Sequence, residues 1–307
     1  MAIIPPPRWT DAELDASREG AIEIFRNKRM AEVLDPYIEA YEDSRQSIAE
    51  LFELTVDLKQ ILDEAVELTT NPGTLHALRY MAGPPISEDD LKVLADVNTL
   101  NPTRLRQNPG WAHTLVEIVL MGLDPNRFPW VAEGRDPTDE ERETAIVATA
   151  VMMAQRRQMT DRANESKDAQ EKATAAALVN AGFHQVPPRQ IDTFAQAPRP
   201  GEFCHESLFG GRKADLVVRL WDGRCMPIEC KVSNSSTNSV KRLNNDAAVK
   251  AKVWLSQFGT AQTVPAAVLG GVYKLHNLCN AQAEGLTLFW AHELDRLVEF
   301  VTSTRTD

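Results

Sequence analysis

Cysteine is scarce in this chain, with four residues in 307 (Cys204, Cys225, Cys230 and Cys279). That excludes a disulfide framework for a protein of this size and points to reduced thiols. Cys204-His205 with Cys225 and Cys230 offers zinc-type ligands, but no C-x2-C pair accompanies them, so plain buried thiols are expected. Long apolar runs are also missing. No stretch approaches the roughly 18 uncharged apolar residues of a membrane helix. The start, MAIIPPPRWTDAELD, has neither the basic nor the apolar region of a secretory signal. A cytoplasmic protein with no membrane partner is the expectation.

Positive charge is deficient at one end only. Residues 1–100 carry 9 Lys and Arg against 20 Asp and Glu, which accounts for the whole formal charge of −11; the remainder has 24 of each sign. Residues 201–260 hold 9 basic and 6 acidic groups, with Lys241, Arg242, Lys250 and Lys252 close together. A polyanionic partner is therefore disfavoured for the front of the chain and open to its back.

What is present at the front is helical periodicity. In SRQSIAELFELTVDLKQILDEAVELTT, residues Ile48, Leu51, Leu54, Leu58, Ile61, Leu62, Ala65 and Leu68 recur at spacings of three and four, predicting one amphipathic helix. Ser87 caps SEDDLKVLADV, and Thr138 with Glu141 forms a capping box at the head of TDEERETAIVATAVMMAQRRQ. Another helix, ESKDAQEKATAAALVNAGF, closes at Gly182. From there the pattern becomes that of strands. A proline-rich loop, VPPRQIDTFAQAPRPGEF, leads into two strands around Asp222-Gly223; a helix at NNDAAVKAKVWLSQFG, strands at VPAAVLGGVY and LTLFWA and a helix at ELDRLVEFV follow. The predicted class is α/β (α+β): a mixed sheet flanked by helices over 138–307, preceded by an acidic all-helical region over 1–137 whose expected role is scaffold, dimer packing or DNA recognition.

The strand pair KADLVVRLWDGRCMPIECKVSNSS sets three charges into apolar segments. Side chains alternate along a strand, so Glu229 and Lys231 share a face while Ile228, Cys230 and Val232 share the other. A two-residue loop at Asp222-Gly223 would put Asp215 on the wrong face. A three-residue loop, Asp222-Gly223-Arg224, sets it opposite Lys231 and diagonal to Glu229. Two carboxylates and an ammonium on one face of a buried strand pair cost several kcal/mol of hydration each unless a ligand compensates. Hard oxygens such as Asp215 and Glu229 suit Mg2+, and Lys231 is placed to orient or deprotonate a water or to carry charge at a phosphate. The bland alternative is an exposed Glu/Lys ladder beside a solvated Asp.

Asp215 followed by Glu229-Cys230-Lys231 resembles the PD-(D/E)XK nuclease superfamily, although Lys213-Ala214 stands where a proline commonly precedes the Asp. The superfamily's accessory glutamate corresponds to Glu171 on the AQEKATAAALVNAGF helix, with a solvated helix acid as its alternative. The QE helix, the ECKVSNSSTNSVKRLNND segment and VLGGVYKLHNL more narrowly resemble type II restriction endonucleases of the XamI kind. The resemblance implies Mg2+-dependent cleavage of double-stranded DNA at a short palindrome, GTCGAC, by a homodimer. A repair, junction or RNA nuclease on the same core, or a non-catalytic nucleic-acid-binding module, are the alternatives. For DNA contacts, the short polar and basic side chains after the catalytic strand are expected: Ser233, Asn234, Ser236, Lys241, Arg242 and Asn244. Composition alone would make the same run a linker. Arg104 and Arg106, with Gln107 and Asn108, form a second patch, and Arg156 and Arg157 a third. His276 is expected at a strand end.

Overall fold

The computed structural model describes residues 3–31, 34–235 and 239–305, apart from the side chains of residues 163, 241 and 242. The chain divides into two compact units, one of Met1–Glu32 with Ala163–Asp307 and one of Val33–Arg162. This division differs from a boundary at 137/138. The first helix belongs with the sheet, and the long helix that begins in the helical unit continues into the sheet unit.

The helical unit comprises α2 (Asp35–Leu54), α3 (Ala65–Thr70), α4 (Pro72–Met81), α5 (Glu88–Leu94), α6 (Pro102–Gln107), α7 (Pro109–Met121), α8 (Pro129–Glu133) and the start of α9 (Asp139–Asn180). The helix expected across residues 44–70 is broken. Val56, Asp57 and Leu58 take positive φ (49°, 53° and 77°), a conformation that L-residues rarely adopt without external support. That support is visible: the Thr55 hydroxyl accepts from the Leu58 N–H at 3.0 Å, the Asp57 carbonyl accepts from the Trp130 indole at 3.0 Å, and Arg142 pairs with the Asp57 carboxylate at 2.8 Å. The apolar stripe still becomes core, since Ile48, Leu51, Leu58, Ile61, Ala65 and Leu68 are all buried. Two members of the stripe fall short of the core, Leu54 being only partly buried and Leu62 37% exposed, because the break turns the chain between them.

Both expected caps form. The Ser87 hydroxyl accepts from the Asp90 N–H at 3.0 Å, and Thr138 and Glu141 exchange hydrogen bonds at 3.1 and 2.9 Å. Glu141 also holds Arg135 through both oxygens, at 2.7 and 2.5 Å. The Arg135 guanidinium, and then the Thr138 N–H, pull the Glu141 carboxyl down from 4.5 to about 2. A carboxyl lowered on folding stabilises the fold above its unfolded pKa, and that stabilisation is lost as pH falls toward the folded value. Thermal melts between the ordinary carboxylate range and about pH 2 should therefore fall less steeply for Glu141→Gln than for the parent; parallel curves would refute this.

In the other unit, α1 (Asp11–Met30) and the end of α9 join seven strands: β1 (His184–Val186), β2 (Gln190–Ile191), β3 (Glu202–Phe209), β4 (Arg212–Arg219), β5 (Cys225–Ser233), β6 (Ala266–Gly271) and β7 (Thr287–Trp290). Their order is β1-β3-β4-β5-β6-β7, with β2 also on β3. The β3-β4-β5 meander is antiparallel and the remaining pairings are parallel, so the sheet is mixed. After β5, a π-helical segment Val240–Ala247 runs into α10 (Ala248–Phe258); α11 (Leu275–Ala283) follows β6 and α12 (Leu294–Ser303) follows β7. Two elements depart from expectation. The proline-rich segment expected as a loop supplies the last residue of β1, all of β2 and the start of β3, and His276 lies in α11, not at a strand end.

Alternation along the strands sorts the two faces. Leu216, Val218, Ile228, Cys230 and Val268 pack with Ala175 and Leu178 of α9 and Leu297 and Val301 of α12. On the opposite face, Ala267, Leu269 and Leu288 pack with Leu14 of α1, Leu243, Ala247 and Ala251, and Leu278 of α11. Glu229 and Lys231 belong to this second face by parity, as the sequence predicted. Among the described residues no helix is long and apolar enough to cross a membrane.

Candidate active site

The hairpin register decides where the charges meet. Arg219 pairs with Cys225, Val217 with Pro227 and Leu216 with Ile228. The turn is closed by mutual Leu220 and Arg224 positions, with the Leu220 N–H on the Arg224 carbonyl at 2.9 Å. The three-residue loop is therefore Trp221-Asp222-Gly223, with Gly223 at φ 87°, instead of Asp222-Gly223-Arg224. The paired register ends at Leu216 and Ile228, short of Asp215, and the expected pairing of Asp215 with Lys231 is not part of it. The loop has the expected three residues but starts one residue earlier, and alternation along β4 does not run unbroken through Asp215: Ala214 packs with Val217 and Phe209, Leu216 with Ile228 and Cys230 on the other face.

Glu229 is fully buried, and Asp215 is 8% exposed. One Asp215 oxygen accepts from the Cys230 N–H at 2.7 Å, which fixes the carboxylate against the neighbouring strand. Glu229 lies 2.6 Å from Lys231 Nζ and receives Lys250 Nζ on both oxygens at 2.9 Å. Asp246 completes this cluster, 2.7 Å from Lys231 and 3.7 Å from Lys250. The Lys231 backbone is held as well, its carbonyl accepting from the Tyr273 hydroxyl at 2.7 Å. Burial works against the Lys231 charge, but Glu229 and Asp246 outweigh it and hold its pKa above the ordinary lysine value. Burial also raises the Glu229 carboxyl, against the pull of Lys231 and Lys250.

α9 supplies the other half. Gln170 is buried and donates to the Val268 carbonyl at 3.2 Å, docking the helix on β6. Its neighbour Glu171 thereby reaches toward Asp215. Lys167, one turn earlier, lies 3.2 Å from Glu171 Oε1 and 3.4 Å from Asp215 Oδ1. Burial and the charge on Asp215 raise the Glu171 pKa. Its Oε1 is buried and makes no well-directed hydrogen bond among the described residues.

These features fit a divalent cation. The donors are hard carboxylate oxygens, an ammonium already lies between Glu171 and Asp215, and a buried carboxylate oxygen lacks a directed donor. Among the described residues the carboxylates do not form a ready-made cage of three or more ligands; lysines hold them instead.

The expected DNA-contacting residues divide. Asn234 is exposed, while Ser233 is fully buried and spends its hydroxyl on the Ser235 carbonyl at 2.8 Å, so it has no surface to offer DNA. Asn244 is half-buried, with an Oδ1 that has no hydrogen-bond partner among the described residues. Ser236 and the side chains of Lys241 and Arg242 lie outside the described residues. Arg104 and Arg106 are exposed on α6 in the helical unit, and Arg157 is tied to Asp43 at 2.7 Å. Sequence reasoning missed Lys167, Asp246 and Lys250 as members of the site. The spacing of Lys167 to Glu171 and of Asp246 to Lys250 at i, i+4 was a usable signal, though it reads equally well as surface helix pairing.

Comparison with known proteins turns this constellation into a lineage. The profile of the XamI restriction endonuclease family matches residues 59–290. The chain belongs to that family. It is 47% identical over 262 residues to the type II restriction enzyme XamI of Xanthomonas campestris pv. amaranthicola, covering 85% of this chain and 95% of the relative. Within this family of restriction endonucleases, the seven-stranded mixed sheet between helices is a restriction-endonuclease-like core. The protein VC1899 from Vibrio cholerae aligns with 85% of the chain at 13% identity and a TM-score of 0.28, and the chain spans 56% of that protein.

Proposed function

We propose that the protein is a Mg2+-dependent type II restriction endonuclease that hydrolyses phosphodiester bonds in double-stranded DNA at the palindrome GTCGAC, acting as a homodimer. The observation that carries this reading is the meeting of Asp215, Glu229, Lys231 and Glu171 at one end of the sheet in a chain of this family. Asp215 and Glu229 would hold the cation, with Glu171 as an accessory ligand. Bound there, a divalent cation supplies Lewis acidity at the scissile phosphate and neutralises charge that builds on it. Lys231 stays an ammonium between Glu229 and Asp246, so its part is to donate: it orients the attacking water and carries positive charge at the phosphate rather than removing a proton. The Cys230 N–H holds Asp215, and Tyr273 holds the Lys231 main chain, so both side chains start from fixed strands.

Plasmid digestion tests the reading. A plasmid with one GTCGAC should be linearised at a single position in Mg2+, its site-free twin should stay intact, and excess EDTA should stop cutting. A smear, or cutting that persists in EDTA, would refute it. A two-fold palindrome and one site per chain call for two protomers on each duplex; sedimentation showing one protomer per saturated duplex would remove the homodimer.

A further inference from the structure

Two lysines outside the E-x-K motif occupy the oxygen atoms that a cation needs. Lys167 spans Glu171 and Asp215 at 3.2 and 3.4 Å, and Lys250 takes both oxygens of Glu229 at 2.9 Å. They come from separate helices, α9 and α10, on opposite faces of the sheet, and each is more exposed than the carboxylates it holds: 49% for Lys167 against 11% for Asp215, and 20% for Lys250 against none for Glu229. Each therefore has water on one side into which it can swing.

We propose that Lys167 and Lys250 are displaceable counter-ions of the cleavage site, which hold Glu171, Asp215 and Glu229 in place without metal and yield them to a divalent cation when DNA phosphate arrives to receive the ammonium groups. The proposal rests on the metal site of the preceding subsection and adds two positioning residues to it. Charge counting supports it. Glu171, Asp215, Glu229 and Asp246 against Lys167, Lys231 and Lys250 leave the site one unit negative. A divalent cation makes it one unit positive, and one phosphodiester restores neutrality. With the lysines left in place, the cation would face ammonium groups about one ion-pair distance away, where like charges repel strongly at low dielectric. Released lysines would face phosphates, so Mg2+ and DNA should strengthen each other's binding by a shared factor.

The test is titration calorimetry of Mg2+ against the full-length protein without DNA. Lys167→Met and Lys250→Met should each bind Mg2+ tighter, by about tenfold, because a competing cation is gone. Both should nevertheless cut more slowly at saturating Mg2+. Lys167→Arg and Lys250→Arg should return Mg2+ affinity toward the parent's. A merely structural role predicts the opposite sign, weaker Mg2+ binding together with a lower melting temperature. Unchanged or weaker Mg2+ binding in Lys167→Met, whose half-exposed side chain can be lost without harm to the fold, overturns the proposal and leaves the metal site standing. Mg2+ that binds neither parent nor variants, with or without duplex, overturns the metal site and the proposal with it.

Discussion

Glu229→Ala should lose cleavage by at least about a thousandfold and yet bind cognate DNA in metal-free buffer as tightly as the parent or more tightly. The loss follows from removing a carboxylate proposed to hold the cation. The gain follows from the charges around it: Lys231 and Lys250 both spend their ammonium groups on Glu229, at 2.6 and 2.9 Å. Without that carboxylate both are released to meet phosphate, and the site carries one negative charge less. Neither lysine is stranded, since Asp246 lies 2.7 Å from one and 3.7 Å from the other. Lys231→Ala should also stop cutting but weaken binding, because a positive contact is lost. Filter binding in EDTA beside plasmid cleavage in Mg2+ reads both signs. A Glu229→Ala protein that cuts at near the parental rate would return this hairpin to an ordinary Glu/Lys ladder.

The face shared by Glu229 and Lys231 was legible in the sequence because they stand two apart on one strand, whereas Asp215 departs from such parity, with Ala214 and Leu216 beside it packed on opposite faces. The register was not, because Asp222-Gly223 marks a turn without saying which residue starts it. Here Gly223 must take the positive φ, and the loop closes one residue earlier than expected. β3 was hidden for another reason. Its sequence EFCHESLF places Glu202, His205 and Glu206 among buried Phe203, Cys204 and Phe209, and it follows a proline-rich stretch that reads as loop. The break at Val56–Leu58 was invisible because its support is distant in sequence: Trp130 and Arg142 hold Asp57 in a conformation that no local signal announces. Lys167 and Lys250 escaped notice in the same way. Asp215 and Glu229, the carboxylates they hold on β4 and β5, are reached only through tertiary packing, and a charged helix face with i, i+4 pairs normally means solvent.

The end of β5, which carries Glu229 and Lys231, depends on a glycine in the neighbouring strand. Gly271 closes β6 at φ 87°, and a Cβ there would collide with the Ser233 carbonyl at the end of β5. That carbonyl accepts from the Val272 N–H at 2.8 Å, so it cannot withdraw without breaking the last rung between the two strands. Gly271→Ala thus faces a disfavoured backbone angle and a backbone clash together, and should destabilise this unit by about 3 kcal/mol or more. Because Lys231 stands two residues before Ser233, and its carbonyl is fixed by Tyr273 just beyond the glycine, relief by moving the strand end would also displace Lys231, the lysine proposed to act in cleavage. The expected result is a lower denaturation midpoint together with slower cleavage by the fraction that remains folded. As a control, Gly223→Asn leaves a positive φ in a residue type that tolerates it, with no atom in the way, and should cost less than half as much in a urea melt. A Gly271→Ala protein as stable as the parent would show that the β5–β6 end is free to open, and with it that Lys231 is not held by this strand pair.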